Sequence, residues 1–217
     1  MIITISSEIK DILPNFNVLA YTMDVKLLDS SVIEEEIRKT EERISEEYTL
    51  EEVLSIPLIK EARDSYKKLG KDPSRYRLAC ESLLRRIVKG NKLYRINNLV
   101  DAGNILSIDL NRSTAVLDLD KIEGDITIRM GKETDIYEGI GRGIINVSNI
   151  PLYCDNISPF GSPTSDTLRT SVNDNTKKIL LMIICFNSMN DKDEARAIEL
   201  FTKYCDAKNI TKVEVRR

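Results

Sequence analysis

The sequence predicts an α+β fold in which mixed β-sheets are covered by helices. Several segments repeat apolar residues at helical spacing, whereas others are short, β-branched and bounded by glycine, asparagine or proline. No internal repeat or low-complexity linker divides the 217 residues. We therefore expect a single domain, with a variable N-terminal part at 1–56, a core at 57–186 and a C-terminal helix and strand at 187–217.

The N-terminal part predicts two strands and two helix starts. Residues 2–6 and 18–27 are rich in β-branched side chains that alternate with other residues, as in strands. Residues 31–34 (SVIE) and 49–52 (TLEE) each match a capping box, in which a hydroxyl and a glutamate three positions later satisfy backbone groups at a helix start.

The core predicts helices first and strands afterwards. Pro57 can open a helix that ends at Gly70, and Asp72-Pro73 can open another that ends at Gly90. The later elements follow from apolar periodicity and turn residues: a helix from about 97, short strands within 115–155, a strand at 179–186, a helix at 191–207 and a strand at 213–215. The continuous apolar run at 179–186 predicts a buried central strand, and the last three elements allow a strand–helix–strand crossover.

One helix carries an unusual polar stripe. Asn97, Asp101 and Asn104 recur at helical spacing, although asparagine and aspartate are poor helix-interior residues. Two interpretations remain open: the stripe is a solvated face, or it forms hydrogen bonds to a ligand or a neighbouring loop.

Composition excludes several classes of chemistry. The chain has no histidine, so we expect no Ser-His-Asp or Cys-His catalysis and no histidine-ligated metal. The four cysteines show no metal-binding or redox spacing and fit reduced thiols in the cytoplasm. We expect no cofactor and no metal. No apolar run approaches the length that spans a membrane, and no signal peptide opens the chain.

Charge is distributed unevenly along the chain. Residues 31–59 carry nine acidic and three basic side chains, whereas residues 60–95 carry twelve basic and four acidic ones. The net charge of −3 argues against indiscriminate nucleic-acid binding, and we expect no DNA partner. The basic segment either contacts phosphates or is a solvated counterpart of the acidic segment. The candidate RNA-binding residues are Lys68, Lys71, Arg75, Arg77, Arg85 and Arg86.

Ordered motifs resemble a known family. The stretches 97–104 (NNLVDAGN), 117–122 (LDLDKI) and 126–129 (ITIR) resemble the B3/B4 domain of the phenylalanyl-tRNA synthetase β subunit. Residues 68–77 (KLGKDPSRYR) and 166–170 (DTLRT), followed by Thr176, are similar to free-standing proteins built on that domain. The resemblance covers about 57–186.

This resemblance implies an editing pocket. In the synthetase, the domain hydrolyses tyrosine wrongly esterified to tRNA. An aminoacyl ester is already activated, so a positioned water and a stabilised oxyanion suffice for its hydrolysis. The sequence departs from the synthetase at two places, because Ala115 stands where a histidine is expected and Met182 where a glutamate is expected. These two departures argue against a tyrosine-specific pocket.

The function classes follow from the resemblance and from this departure. The first is a stand-alone domain that hydrolyses mischarged aminoacyl-tRNA in trans, and the second is a non-catalytic module that binds tRNA or an amino acid. A third is an enzyme acting on another amino-acid-like metabolite. No catalytic residue is assigned. The residues expected to converge on one substrate cleft are Asn98, Asp101, Asn104, Asp118, Arg169 and Thr170.

Overall fold

The computed structural model describes residues 1–217, apart from the side chain of Asp191. The helices are α1 Ser7–Ile12, α2 Glu34–Glu47, α3 Leu50–Val53, α4 Pro57–Lys68, α5 Ala79–Val88, α6 Asn98–Leu110 and α7 Asp191–Cys205. The strands are β1 Ile2–Ile5, β2 Asn17–Asp24, β3 Thr114–Asp118, β4 Ile126–Met130, β5 Glu138–Gly139, β6 Gly143–Ile144, β7 Pro151–Cys154, β8 Pro159–Gly161, β9 Lys178–Cys185, β10 Lys208–Lys212 and β11 Glu214–Arg216. The α+β prediction is confirmed.

Two main sheets and one small hairpin sheet organise the fold. The larger sheet has the strand order β11-β1-β4-β7-β8, the second has the order β10-β2-β9-β3, and β5 pairs with β6. β9 lies between β2 and β3 and is antiparallel to both, with residues 179–186 all buried. The prediction of a buried central strand at 179–186 is therefore confirmed. Helix α6 packs against β3 and α7.

Helix termini follow the sequence in some places and differ in others. Thr49 and Glu52 form the predicted capping box at α3, and α4 begins at Pro57 as expected. Gly70 and Gly90 follow helices with positive φ values of 78° each, a conformation that glycine adopts without steric cost.

Two predicted helix starts are wrong. The capping box at 31–34 does not form, because Ser30–Val32 is a 3₁₀ turn capped by Asp29, and α2 begins after it without a side-chain cap. The helix predicted at Asp72-Pro73 begins only at Ala79. The Asp72 carboxylate accepts a hydrogen bond from the Ser74 backbone N–H, and the Asp72 carbonyl accepts one from the N–H of Tyr76. Asp72 therefore closes a single turn, and the chain then extends before α5.

The C-terminal strand also differs from the prediction. The strand expected at 213–215 is β11 at Glu214–Arg216, and it pairs with β1 in the larger sheet. The additional strand β10 forms the crossover instead, since β9 and β10 both run antiparallel to β2 and are therefore parallel to each other. Among the described residues, no helix is long and apolar enough to cross a bilayer.

Candidate functional site

A cavity of about 300 Å³ opens between α6, the edge strand β3 and the loops around residues 140 and 166–172. This volume falls at the lower end of small-molecule sites. Its walls are mainly apolar, formed by Ile96, Val100, Val116, Leu117, Ile140, Leu168 and Val172. Its polar lining comes from Asn104, Thr114, Asp166 and Ser171. Apolar walls with a few polar groups suit a small organic ligand.

Close packing of α6 on β3 shapes one wall of this cavity. A Cβ atom added to Gly103 would lie 2.5 Å from Val116 Cγ2, so only glycine fits without a local shift. The Thr114 hydroxyl donates a hydrogen bond of 2.9 Å to the Gly103 carbonyl. Together these contacts fix the helix against the strand and hold the next residue, Asn104, at the cavity.

Asp166 is the acidic residue in the cavity lining. Its backbone carbonyl accepts a hydrogen bond from the Ile140 N–H at 2.9 Å, which ties the two loops together. Its Oδ1 atom is inaccessible and has no hydrogen-bond partner within the described part of the protein. Burial raises the pKa of this carboxyl group from 3.8 to about 7. A carboxyl group with such a pKa can accept and return a proton near neutral pH.

Two buried tyrosines, Tyr137 and Tyr153, lie close enough to Asp166 to sense its charge. Burial and, secondly, the charge of Asp166 raise the pKa of both hydroxyls. The Tyr137 hydroxyl donates to the Ser165 carbonyl, whereas the Tyr153 hydroxyl has no partner among the described atoms. A Cβ atom on Gly161 would lie 2.8 Å from Asp166 Oδ1, so glycine leaves room for the carboxylate. Burial of the carboxyl group is what disfavours the charge of Asp166.

Asn98 and Asp101, which the sequence placed in the cleft, have structural contacts instead. The Asn98 side chain accepts from the Leu28 N–H at 2.7 Å and donates to the carbonyls of Lys26 and Tyr204. The Asp101 carboxylate accepts from the Ser30 hydroxyl at 2.6 Å and from the backbone N–H of Ile96. Both are buried. Asn97, the first residue of the polar stripe, caps α6 by accepting from the Val100 N–H.

Asp118 and Arg169 hold loops together. Asp118 accepts from the Thr176 hydroxyl at 2.7 Å. Arg169 donates to both oxygens of the Asp155 carboxylate, at 2.8 and 3.1 Å, and to the Lys121 carbonyl. This bidentate pair engages the guanidinium of Arg169 in a structural contact.

Thr170 is fully buried, and its hydroxyl has no partner among the described atoms. Of the six residues expected to converge on one cleft, Asn104 belongs to the lining of this cavity and the other five do not. Asp166 was missed, although it opens the DTLRT motif. Its polar, turn-like sequence surroundings gave no sign of burial.

The basic residues predicted to bind RNA fall into two groups. Lys71 is buried and donates to the carbonyls of Asn146 and Ser148, and Arg86 stacks on the Tyr94 ring while donating to the Lys92 carbonyl. These two are engaged in structural contacts. Lys68 and Arg75 are exposed, and Arg77 and Arg85 lie beside the buried carboxylate of Glu81.

The two positions that depart from the synthetase pattern are neighbours. Ala115 on β3 pairs in register with Met182 on β9, and both are buried. The resemblance leads one to expect a histidine and a glutamate at these paired positions, and both are replaced by apolar side chains. Neither residue lines the cavity described above.

Comparison with known proteins identifies the family. A model of the B3/4 domain matches residues 61–211, and the chain belongs to this family. The chain is similar to the phenylalanine–tRNA ligase β subunit of Fusobacterium nucleatum subsp. nucleatum, with 27% identity over 122 residues, 55% of this chain and 15% of that subunit. It is also similar to the β subunit of Bartonella quintana, with 40% identity over 53 residues, 24% of this chain and 7% of that subunit.

The structural comparison agrees with the family assignment. The fold is similar to that of an N-terminal fragment of the phenylalanyl-tRNA synthetase β subunit from Pyrococcus horikoshii, with a TM-score of 0.50 and 11% identity. The superposition covers 99% of this chain and 51% of that fragment. At this identity the similarity establishes the fold alone. The chain spans less than a sixth of the length of the two curated subunits.

Proposed function

We propose that this protein hydrolyses mischarged aminoacyl-tRNA in trans, using the cavity between α6 and β3. The curated relatives are named for joining phenylalanine to tRNA, which supports an aminoacyl-tRNA as the ligand class. The apolar walls and the volume of about 300 Å³ support a pocket for an amino-acid side chain with its ester group. A cytoplasmic location follows from the proposal, because charged tRNA is used there.

The raised pKa of Asp166 in the cavity lining is the observation that supports hydrolysis. With its pKa at about 7, a substantial fraction of this carboxyl group is ionised at neutral pH and can act as a base in a chain without histidine. In the proposed step, Asp166 takes a proton from water while the water oxygen bonds to the ester carbonyl carbon. The bond from that carbon to the ribose oxygen then breaks, and Asp166 returns the proton to the ribose oxygen. The products are a free amino acid and uncharged tRNA.

Asn104 is the proposed partner of Asp166 in this reaction. Its side-chain amide lies in the cavity lining and can donate a hydrogen bond to the oxyanion that forms on the ester carbonyl. Donors of this kind accelerate acyl transfer by roughly a hundredfold or more.

One observation favours the non-catalytic alternative. Asp166 contributes a carboxyl group to the cavity lining, and in its ionised form this group could accept a hydrogen bond from the α-ammonium group of a bound amino acid. In that case the cavity would hold an amino acid or the end of a charged tRNA without hydrolysing it.

Deacylation of a panel of aminoacyl-tRNAs separates the two functions. We expect the wild-type protein to hydrolyse at least one member, Asp166→Asn to lose this activity, and Asn104→Ala to lower kcat. Asp174→Asn is the matched control, because Asp174 is an exposed carboxylate in the loop before β9. Binding without turnover for any member would favour the alternative, and equal activity of Asp166→Asn and wild type would overturn the assigned role of Asp166.

A further inference from the structure

An imbalance of charge surrounds the buried Glu81 on α5. Its carboxylate lies within 4 Å of three arginines: 2.9 Å from Arg63 Nη1, 3.5 Å from Arg77 Nε and 3.8 Å from Arg85 Nη1. Only Arg63 forms well-placed hydrogen bonds with it, donating to both carboxylate oxygens. One negative charge therefore faces three positive charges.

Two other charge clusters of this protein carry no excess of positive charge. Arg95 and Lys92 face Glu34 and Glu41, so two basic groups meet two acidic ones. Arg196 contacts three carboxylates, one of which also pairs with Arg43, so acidic groups outnumber basic ones there. At Glu81 the Nε atoms of Arg77 and Arg85 are instead buried and without a hydrogen-bond partner in the described structure. Three guanidinium groups against one carboxylate leave positive charge uncompensated, and the side chains of Arg77 and Arg85 are partly exposed, so an anion from outside the protein can complete the cluster.

A fourth arginine extends the cluster toward the cavity. Arg142 is an exposed residue of the β5–β6 hairpin, and partial desolvation of its guanidinium, followed by the charge of nearby Arg77, lowers the pKa of that group. The Arg142 N–H donates to the Gly139 carbonyl at 3.0 Å, in the same turn that carries Ile140 into the cavity wall. The hairpin therefore connects the arginine cluster to the rim of the cavity.

We propose that Arg77, Arg85 and Arg142 bind a backbone phosphate of the RNA whose esterified end occupies the cavity. This inference rests on the proposed function and specifies how the RNA is held. Guanidinium groups match the geometry of phosphate oxygens, and two uncompensated positive charges suit a phosphodiester. Glu81 is a positioning residue, since its carboxylate draws the three α4–α5 arginines together. Lys71 and Arg86 lie in the same basic segment but have structural partners, so they do not contribute.

The test measures binding of an RNA hairpin with a single-stranded 3′ extension, by fluorescence anisotropy at several salt concentrations. We expect Arg142→Gln and Arg77→Gln each to weaken RNA binding on the order of tenfold at low salt. Each should also reduce the slope of log affinity against log salt concentration by roughly one. Arg38→Gln, which removes an exposed arginine on α2, is the charge-matched control and should bind like wild type. Arg142 is exposed in a hairpin, so its replacement leaves the core intact.

Two further measurements keep this inference separate from the proposed function. An aminoacyl adenosine carries the ester but no phosphodiester, so Arg142→Gln should hydrolyse it like wild type while Asp166→Asn should not. Normal RNA affinity of both arginine variants would overturn the phosphate site, even if deacylation is intact. Weakened RNA binding without any deacylation would support the phosphate site and overturn the hydrolytic function. If inorganic phosphate binds the arginine cluster without displacing the RNA, the assignment of this site to an RNA phosphate is also overturned.

Discussion

Asp166 should make the stability of the folded protein depend on pH in the direction opposite to most carboxylates. Its pKa is about 7 in the folded protein against 3.8 for the free side chain, because burial disfavours the ionised form. Between these two values the folded state binds a proton that the unfolded state has released. The stabilisation is fully present below pH 3.8 and is lost as the pH rises toward 7.

The size of this effect follows from the two pKa values. A change from 3.8 to about 7 corresponds to about 4 kcal/mol in the free energy of unfolding, of which about 3 kcal/mol falls between pH 5 and pH 8. Asp166→Asn keeps the shape of the protonated side chain and cannot ionise. Relative to wild type, the variant should therefore gain about 3 kcal/mol in stability as the pH rises from 5 to 8.

Urea denaturation followed by far-UV circular dichroism measures this difference at each pH. Other titrating groups are common to both proteins, so they cancel when the two curves are subtracted. If the curves of unfolding free energy against pH are parallel for wild type and Asp166→Asn across this range, the argument that burial disfavours the ionised form of Asp166 is refuted. Gained stability combined with lost deacylation would instead indicate that the site sacrifices stability for its chemistry.

Three further predictions concern neighbouring residues of α6 and the cavity. Gly103→Ala should lower stability by about 1–3 kcal/mol through overpacking against Val116, and the added substitution Val116→Ala should restore part of it in urea denaturation. Asn98→Ala should cost about 2–4 kcal/mol because it leaves buried backbone groups unpaired, whereas Asn104→Ala should alter ligand binding with little change in the urea midpoint. Thr170→Val should be neutral or stabilising by about 1 kcal/mol in the same assay, because the buried hydroxyl has no partner in the described structure; a marked loss would indicate that it has one.

The elements that the sequence predicted correctly are those whose signal is local. The strand β9 has an unbroken apolar run, and α4 has a proline at its start and a glycine after its end. The turn at Asp72 shows the limit of local signals. The sequence Asp-Pro fits both a helix start and a single capped turn, and the protein forms the turn. Local propensity does not distinguish these two outcomes, because tertiary context overrides it.

The cavity was only partly predictable for the same reason. Asn104 could be found because helical spacing places it on a defined face of α6. Asp166 acquires its raised pKa from burial within the folded chain, and no spacing rule in the sequence relates that burial to its neighbours. The resemblance to a family indicated the motif that contains Asp166, but it did not indicate which member of the motif faces the cavity.

The polar stripe on α6 has a physical reason that neither of the two interpretations drawn from the sequence states in full. After β2 ends at Asp24, the chain continues through residues 25–33 without joining a strand, so its backbone groups need other partners. Asn98 satisfies Lys26 and Leu28, and Asp101 receives the hydroxyl of Ser30. The stripe therefore does bind a neighbouring loop, as one interpretation held, but it serves the fold. Asn104 lies one turn beyond this loop, which is why it alone among these residues is free to face the cavity.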